Sequence, residues 1–300
     1  MVWVITHPNE NNPCGGIRLL HALCRPNVPN PAVKIQLLSD LHLETQPHCT
    51  PLPAPGADVL VLAGDIGSYQ AGSLLTDADF GLARFSPHQG WPTPVLFVPG
   101  NHEYDLQDFD SAHSRLRETC ERLGMVWLER ETTVLHGVRF VGTTLWADFD
   151  ALAEAKLSLT QQLKQREKAC RAANFYLRKT GTTRHGQPWL AEAIREQALV
   201  CQHWLQAQLL TPFDGKTVVI THFAPSLHST DPRYGLTPGT AGFCNALDHL
   251  LPHAQLWLHG HLHAPSNYLH HGCRVVANPM GYSRKNEQVH FMPDLLLDVA

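Results

Sequence analysis

The stretch Gly260-His261-Leu262-His263 places two histidines one residue apart, directly after an apolar run that ends at Leu258. Side chains two residues apart in extended backbone project toward the same side. Because imidazole is the commonest metal-binding side chain, this pair predicts a metal site. Two ligands are too few for such a site, so partners are expected from distant parts of the chain.

Four further apolar runs each end in a short loop that carries Asp, His or Asn. These loops are Ser39-Asp40-Leu41-His42, Gly64-Asp65, Gly100-Asn101-His102-Glu103 and Thr221-His222. In α/β proteins, ligands bind beyond the carboxyl ends of the strands. The repetition therefore predicts one site to which five strands contribute side chains.

The apolar runs themselves predict strands that are covered on both faces, because they are continuous rather than alternating. The five runs span residues 35–38, 57–63, 94–98, 216–220 and 256–258. A hairpin is expected over 133–136 and 138–145, with Gly137 at the turn. Three further strands are predicted over 268–270, 273–277 and 295–299.

Helices are expected where apolar residues recur at helical spacing. One helix is predicted over residues 109–123 with Gly124 as its stop, and a short one over 243–251. Two more are predicted without a strand between them. The first carries Leu152, Ala155, Leu159 and Leu163, and the second, after Pro188, carries Leu190, Ile194, Ala198, Cys201 and Leu205. Both stripes predict core packing, and the segment 148–210 is expected to form a helical insert that caps the site.

The first 32 residues are rich in proline and asparagine and have one short apolar patch, which is typical of loops. We therefore expect residues 1–32 to form a loop-like, dispensable extension. The catalytic domain is expected over residues 33–300, with Val33 as an alternative start of the chain.

Composition narrows the functional classes. With 43% hydrophobic and 17% charged residues, the chain is an ordinary globular protein, and its formal charge of −4 includes no lysine or arginine run. A nucleic-acid partner is therefore not expected. The 8 cysteines show no C-x-x-C spacing, which favours reduced thiols. No apolar run is long enough to span a membrane, so we expect a cytoplasmic protein.

The ordered set D-x-H, G-D, G-N-H-E, a lone histidine after a strand and G-H-x-H resembles the calcineurin-like metallophosphoesterase superfamily, in its bacterial type. Each motif alone is weak, but all five occur in order between Val33 and Asn278. The resemblance implies an α/β protein with the metallo-dependent phosphatase fold. That fold is a four-layer α/β/β/α sandwich of two mixed sheets flanked by helices.

The resemblance also implies two divalent metal ions, with Mn²⁺ favoured and Fe or Zn²⁺ compatible. The first ion is expected on Asp40, His42, Asp65 and His263, and the second on Asp65, Asn101, His222 and His261. Asp65 would thus bridge the ions, and His102 would lie near the substrate without binding metal. A set of oxygen and imidazole ligands without cysteine agrees with these metals.

Simple electrostatics allow an anionic substrate in this acidic protein. Two divalent ions outweigh the charges of Asp40, Asp65 and a bridging hydroxide, so the floor of the pocket stays positive. A metal lowers the pKa of bound water from about 15.7 to about 7. We expect direct attack of the metal-bridging hydroxide on phosphorus, with His102 as general acid or as a stabiliser of the transition state.

Each residue also has a structural interpretation when it is considered alone. Asp40 and Asp65 are compatible with turns at strand ends, and Asn101 with a left-handed turn position. His222 is compatible with a hydrogen-bonded core histidine. For His259, a hydrogen-bonding role in the core is favoured over metal binding.

Other residues near the motifs leave two alternatives open. Glu103 and Tyr104 are expected either behind the metal ligands or at the surface. In the loop after His222, His228, Arg233 and Tyr234 either line the substrate pocket or face solvent.

Departures from well-known branches of the superfamily narrow the substrate. Protein Ser/Thr phosphatases carry an arginine before G-N-H-E and D-R-G after the first G-D, whereas Pro99 and Ile66-Gly67-Ser68 occupy those places here. Purple acid phosphatases lack the histidine of D-x-H, so His42 argues against that branch.

The substrate is expected to be a small phosphorylated molecule, with a preference for a phosphodiester. No arginine or lysine lies within the five motifs, and a monoester dianion usually meets such a cation. A phosphomonoesterase or nucleotide phosphohydrolase of the same fold remains an alternative. Two further alternatives remain open. A nuclease is disfavoured by the lack of a basic run, and a non-catalytic scaffold is disfavoured by the complete set of candidate ligands.

Overall fold

A computed structural model describes residues 32–299 of the chain. The loop-like extension expected over residues 1–32 therefore falls almost entirely outside the described residues, and it stays a prediction. Within the described part, no helix combines the length and the apolar character that a membrane crossing requires. All six cysteines of this part are free thiols, as the spacing predicts.

The first of two large sheets contains the strands that carry the first three motifs. Its members are β1 (Val33–Leu38), β2 (Val59–Ala63), β3 (Val95–Val98), β4 (Val126–Trp127) and β13 (Leu296–Val299). Their order is β13-β1-β2-β3-β4. All neighbours are parallel except β13, which runs antiparallel to β1.

The second sheet contains the strands that carry the last two motifs. Its members are β5 (Glu131–Leu135), β6 (Val138–Thr143), β9 (Lys216–Thr221), β10 (Leu256–His259), β11 (Ser266–His270) and β12 (Cys273–Ala277). Their order is β11-β12-β10-β9-β6-β5, with the two outer strands antiparallel to their neighbours. The predicted hairpin is confirmed as β5 and β6.

The two sheets pack face to face, which explains why the motif strands are apolar along their whole length. In β2, Val59, Val61 and Ala63 lie in an apolar cluster with residues of the second sheet such as Ile220 and Leu258. The alternate residues of β2 face the other way, into a cluster that also contains helical residues. Each strand is thus buried on both faces, and the sandwich expectation is confirmed.

Helices form the outer layers. α1 (Phe109–Leu123) begins at its Asp108 cap, ends at Gly124 as predicted, and buries Leu116 and Cys120. α3 (Ala191–Leu210) lies over the second sheet and buries the predicted stripe of Ile194, Ala198, Cys201 and Leu205.

The expected first insert helix is wrong in its boundaries. α2 (Leu159–Thr180) begins only after Ser158, whose side chain and that of Gln161 form a reciprocal cap. Leu159 and Leu163 are exposed, so the stripe from Leu152 to Leu163 is not a core face. A small hairpin of β7 (Thr183–Arg184) and β8 (Gln187–Pro188) separates α2 from α3.

The short helix expected over 243–251 is also wrong, because 3-10 turns occupy Pro238–Gly242 and Asp248–His253 instead.

The strand order determines where the motif loops meet. β1, β2 and β3 are adjacent and parallel in the first sheet, and β9 and β10 are adjacent and parallel in the second. Their carboxyl ends reach the same edge of the sandwich, where the loop after β1 bonds to the loop after β10. The site therefore lies where the two sheets meet.

Candidate metal centre

The first expected ligand group is brought together. One ligand atom from each of Asp40, His42, Asp65 and His263 lies within 4.8 Å of all the others. The Nε2 atoms of His42 and His263 are 3.0 Å apart, and Nε2 of His263 is 3.5 Å from Oδ1 of Asp40. These side chains come from the loops after β1, β2 and β10, so the group draws on both sheets.

The second expected group shares Asp65 with the first. Ligand atoms of Asp65, His222 and His261 also lie within 4.8 Å of one another. Oδ2 of Asp65 is 3.2 Å from Nε2 of His222 and 4.0 Å from Nε2 of His42. Oδ1 of Asn101 lies 3.2 Å from the same His222 nitrogen. Asp65 thus occupies the position between two ligand groups that a bridging carboxylate requires.

Several buried polar atoms in the two groups lack a hydrogen-bond partner among the described residues. They are Oδ2 of Asp40, Oδ2 of Asp65 and Nε2 of His261. An unpaired buried polar group is costly, and a bound cation would satisfy all three. The donors are carboxylate, amide and imidazole, with no thiolate, and this set suits Mn²⁺, Fe or Zn²⁺. The residues present therefore fit the divalent metals that the motifs imply.

The two aspartates are ionised, as metal binding requires. Burial alone would raise the pKa of Asp40, but its contacts with His263 lower that pKa to about 2. Burial is likewise outweighed at Asp65, where His222 and His102 hold the pKa well below the usual range of a carboxyl. Both side chains carry their negative charge at neutral pH.

In each of these aspartates, one carboxylate oxygen is hydrogen-bonded to a neighbouring loop and the other faces the site. Oδ1 of Asp40 accepts a hydrogen bond of 2.9 Å from the backbone N–H of His261. Oδ1 of Asp65 accepts one of 2.8 Å from the backbone N–H of His102. In both residues Oδ2 is the oxygen left without a donor. The hydrogen bonds to neighbouring loops therefore hold the free oxygens in place before a metal arrives.

The backbone at the ligands is strained. Positive φ angles occur at Asp40 (53°), His42 (47°), Asp65 (54°), His261 (72°) and His263 (49°). The expectation that the last two histidines lie in extended backbone is wrong, because β10 ends before them. Left-handed backbone at a non-glycine residue costs about 1 to 3 kcal/mol and clusters at functional sites. Tight turns, rather than strand geometry, aim these side chains at one point.

Glycines beside the ligands leave no room for a side chain. A Cβ atom on Gly100 would overlap the carboxylate of Asp65, and one on Gly260 would overlap Oδ2 of Asp40. The glycines of the G-N-H-E and G-H-x-H motifs thus allow the loops to approach the carboxylates closely.

Two glutamates orient imidazoles of the first group. Nδ1 of His42 lies 3.0 Å from Oε1 of Glu44, and Nδ1 of His263 lies 2.7 Å from Oε2 of Glu287. A carboxylate that accepts from one ring nitrogen leaves the other free to bind metal and makes it more basic. Each contact therefore favours the tautomer in which Nε2 is the ligand.

His222 is fixed in a similar way by the backbone, since its Nδ1 lies 2.8 Å from the carbonyl oxygen of Ala63. Tyr282 stacks on the ring of His42 with centroids 4.2 Å apart. Nothing in the sequence pattern marks Tyr282 or Glu287, because they follow the last motif. Glu44, in contrast, comes two residues after His42, so it lies next to the D-x-H motif and could be singled out from sequence.

Glu103 lies behind the ligands and is fully buried, which settles its position against the surface alternative. Its two oxygens accept hydrogen bonds from the backbone N–H groups of Asp65, Ile66 and Gly100. Burial and the charge of Asp65 raise the pKa of Glu103 to about 8, whereas His222 and the backbone N–H groups of Ile66 and Gly100 act in the opposite direction. Glu103 ties the loop after β2 to the loop after β3.

His102 lies beside the metal groups and makes a short contact that sequence reasoning missed. Its Nδ1 is 2.6 Å from Oδ2 of Asp105, which also accepts a hydrogen bond from the hydroxyl of Ser68. Burial would lower the pKa of His102, but the charges of Asp65 and Asp105 outweigh burial and raise it to about 10. With Nδ1 held by Asp105, Nε2 is the nitrogen left to act on a substrate.

Two of the expected pocket residues line a cavity. A cavity of about 320 Å³ adjoins His263 and is lined in part by Arg233, Tyr234, Lys285 and His290. His228 is not among its lining residues. His259 is a core histidine, as expected, because its Nε2 lies 2.9 Å from Oγ of Ser229 and burial lowers its pKa to about 4.

Comparisons with known proteins agree with this geometry. Residues 33–265 match the family described as calcineurin-like phosphoesterase. The uncharacterized protein L509 of Acanthamoeba polyphaga mimivirus is 25% identical over 220 residues, which cover 68% of this chain and 73% of that protein. The phosphopantetheinyl hydrolase PptH of Mycobacterium tuberculosis has a similar fold, with a TM-score of 0.64 and 20% identity over 90% of this chain and 96% of its own. The chain therefore belongs to the calcineurin-like phosphoesterase family and is a metal-dependent hydrolase of phosphoesters.

Proposed function

We propose that this protein is a phosphodiesterase that uses two divalent ions, with Mn²⁺ the favoured metal. The observation that supports it most is that two groups of candidate ligands share Asp65. Within each group, the ligand atoms lie within 4.8 Å of one another. Asp40, His42 and His263 would hold one ion with Asp65. The other ion would be held by Asp65 and the residues Asn101, His222 and His261.

The ions, when bound, would generate a hydroxide at neutral pH and neutralise the charge of the phosphoryl group. The chain contributes the positions of the ligands, which are held before metal binding by the backbone contacts of Asp40 and Asp65. Attack in line with the leaving oxygen would invert the configuration at phosphorus. Retention of configuration would contradict this proposal.

His102 is proposed as the general acid. Its ring lies 5.1 Å from that of His42, centroid to centroid, which supports a role beside the proposed ligands. Since Asp105 holds Nδ1, a protonated His102 would donate from Nε2 to the leaving alkoxide or bind a phosphoryl oxygen. The side chain is 23% exposed, so a substrate has access to it.

The preference for diesters draws on the charges near the site. Arg233 and Lys285 line the cavity beside His263, but each faces a carboxylate. Arg233 contacts Asp231 at 2.6 Å, and Lys285 lies 3.7 Å from Glu287. A monoester carries one more negative charge than a diester. Because each of these cations is already paired with a carboxylate, neither is free to bind that additional charge.

The cap of the site is proposed to be α2 with the turn Pro238–Gly242. Gly242 lies beside Ala173 of α2, since a Cβ built on it would be 3.6 Å from the Cβ of Ala173. Phe243, which follows, lies 5.2 Å from the ring of His261. This arrangement brings α2 close to the second ligand group, where it would limit which substrates can enter.

The test is an assay of metal-stripped protein that has been reloaded separately with Mn²⁺, Fe²⁺ or Zn²⁺. Turnover of bis-p-nitrophenyl phosphate would be compared with that of p-nitrophenyl phosphate, and a phosphopantetheinyl ester would be included because of the fold similarity to PptH. Faster turnover of the diester is expected. Faster turnover of the monoester would favour the phosphomonoesterase alternative, and an inert protein with every metal would favour the scaffold.

A further inference from the structure

A second cluster of histidine and aspartate side chains lies outside the metal centre. One ligand atom from each of His228, Asp248 and His270 lies within 4.8 Å of the other two. Nε2 of His270 is 3.1 Å from Oδ1 of Asp248, and the rings of His228 and His270 are 4.4 Å apart. The three residues come from three separate segments of the chain, so sequence proximity does not explain their meeting.

His228 and Asp248 are held by one buried serine. His228 lies in the 3-10 turn Leu227–Ser229, and its backbone N–H donates to Oγ of Ser226 at 3.2 Å. The Ser226 hydroxyl in turn donates to Oδ1 of Asp248 at 2.7 Å. Since Ser226 is fully buried, it fixes the turn and the carboxylate relative to each other.

His270 is fixed by a tight hairpin. It is the last residue of β11, opposite Cys273, and His271 and Gly272 form the turn with φ angles of 48° and 80°. Two positive φ angles in a two-residue loop are typical of the type I′ turn, which is rigid and matches the strand twist. The third side chain of the cluster is thus presented by sheet structure.

The chemistry of the cluster is that of a transition-metal site. Two imidazoles and one carboxylate leave an open position for water, and this set is common for Zn²⁺. The side chains of Asp248 and His270 are 33% and 27% exposed, so an ion and its water have access. A surface ion pair between Asp248 and His270 alone would not explain why a second imidazole packs against the first.

We propose that His228, Asp248 and His270 form a third divalent-metal site, separate from the centre around Asp65 and suited to Zn²⁺. The ion would join the loop after β9 to the hairpin of β11 and β12. Ser229, next to His228, bonds to both His259 and Tyr268. Ordering this turn would therefore support the segment that precedes His261.

The experiment measures Zn²⁺ bound per chain after metal-stripped protein is loaded with Zn²⁺ and passed through gel filtration. His270→Ala is expected to retain one equivalent fewer than the wild type. His203→Ala, which removes an exposed histidine of α3 that is not part of the cluster, is expected to retain as many as the wild type. Equal retention by His270→Ala and the wild type would overturn the proposal.

A crystal of the wild-type protein soaked in Zn²⁺ gives an independent measurement that needs no variant. An anomalous peak at the zinc edge between His228, Asp248 and His270 would support the site. Peaks confined to the centre around Asp65 would contradict it. The same data report the occupancy of the main centre, so failure of the third site is distinguishable from failure of the proposed function.

Discussion

The centre around Asp65 and the surface cluster of His228, Asp248 and His270 use the same two side-chain types in different surroundings. In the buried centre, the free oxygens of Asp40 and Asp65 have no donor among the described residues. At the surface, Oδ1 of Asp248 accepts from Ser226, and water reaches the rest of the group. Burial therefore makes a cation necessary in the first cluster, whereas solvation makes a cation exchangeable in the second.

The largest effect is expected for Asp65→Asn, which keeps the shape but removes the charge shared by both ligand groups. Turnover should fall by more than the roughly 10²- to 10⁴-fold that general acid catalysis contributes, and metal content at this centre should be lost. Asp248→Asn is the matched change in the exposed cluster and should leave the main centre loaded. Metal analysis and turnover are the measurements. If Asp65→Asn kept its ions, the bridging role would be wrong.

Removal of the proposed acid tests whether chemistry and metal binding are separable within the buried centre. His102→Ala should lower turnover by about 10²- to 10⁴-fold while the ions stay bound, since this side chain is not a ligand. His203→Ala, an exposed histidine of α3, is the control and should keep full turnover. Loss of metal from His102→Ala would show that the residue acts as a ligand instead.

Glu287→Gln tests how much the buried centre depends on the groups behind its ligands. Losing the carboxylate that orients His263 should weaken metal affinity by about 10- to 100-fold, and excess Mn²⁺ should restore most turnover. Titration of stripped protein with Mn²⁺ measures the affinity. Glu121→Gln, an exposed glutamate of α1, should match the wild type, and unchanged affinity in Glu287→Gln would contradict the orienting role.

The smallest expected effect is a shift in pH dependence. Asp105 raises the pKa of His102, and an acid is active below its pKa and lost as pH rises through it. Asp105→Asn should therefore move the alkaline limb of the activity profile to lower pH, with a loss of turnover smaller than the roughly 10²-fold or more expected when the acid itself is removed. Profiles of kcat for both proteins, loaded with the same metal, measure this shift. An alkaline limb that stays in place would show that another group sets it.

The fold and the meeting of the motif side chains could be predicted from sequence, because the end of each strand is marked both by an apolar run and by the polar loop that follows it. A continuous apolar run followed by Gly-Asp or by Gly-Asn-His predicts a buried strand and also locates a polar loop, as at Asp65 and Asn101. The sequence order of these motifs then restricts the family. The division of the motif strands between two sheets rested on the family resemblance, since no local pattern specifies pairing.

Other features of the site and the fold could not be predicted from the sequence, because distant contacts determine them. Glu287 and Tyr282 reach the site from beyond the last motif, and only the tertiary fold brings them there. The backbone is left-handed at His261 and His263 rather than extended, and the His261 N–H donates to Asp40 of a distant loop, a tertiary contact that the local sequence does not reveal. The start of α2 depends on the cap at Ser158 rather than on the apolar stripe upstream.

The hydrogen bond from the His261 backbone to Asp40 joins a loop of one sheet to a loop of the other, so a proposed metal ligand also connects the two halves of the sandwich. Without bound metal, the uncompensated charges of Asp40 and Asp65 would weaken this connection between the sheets. The protein would then unfold more readily on heating and be cleaved more readily by proteases. We therefore expect the supply of free metal to govern how long the folded chain survives, in addition to how fast it turns over substrate.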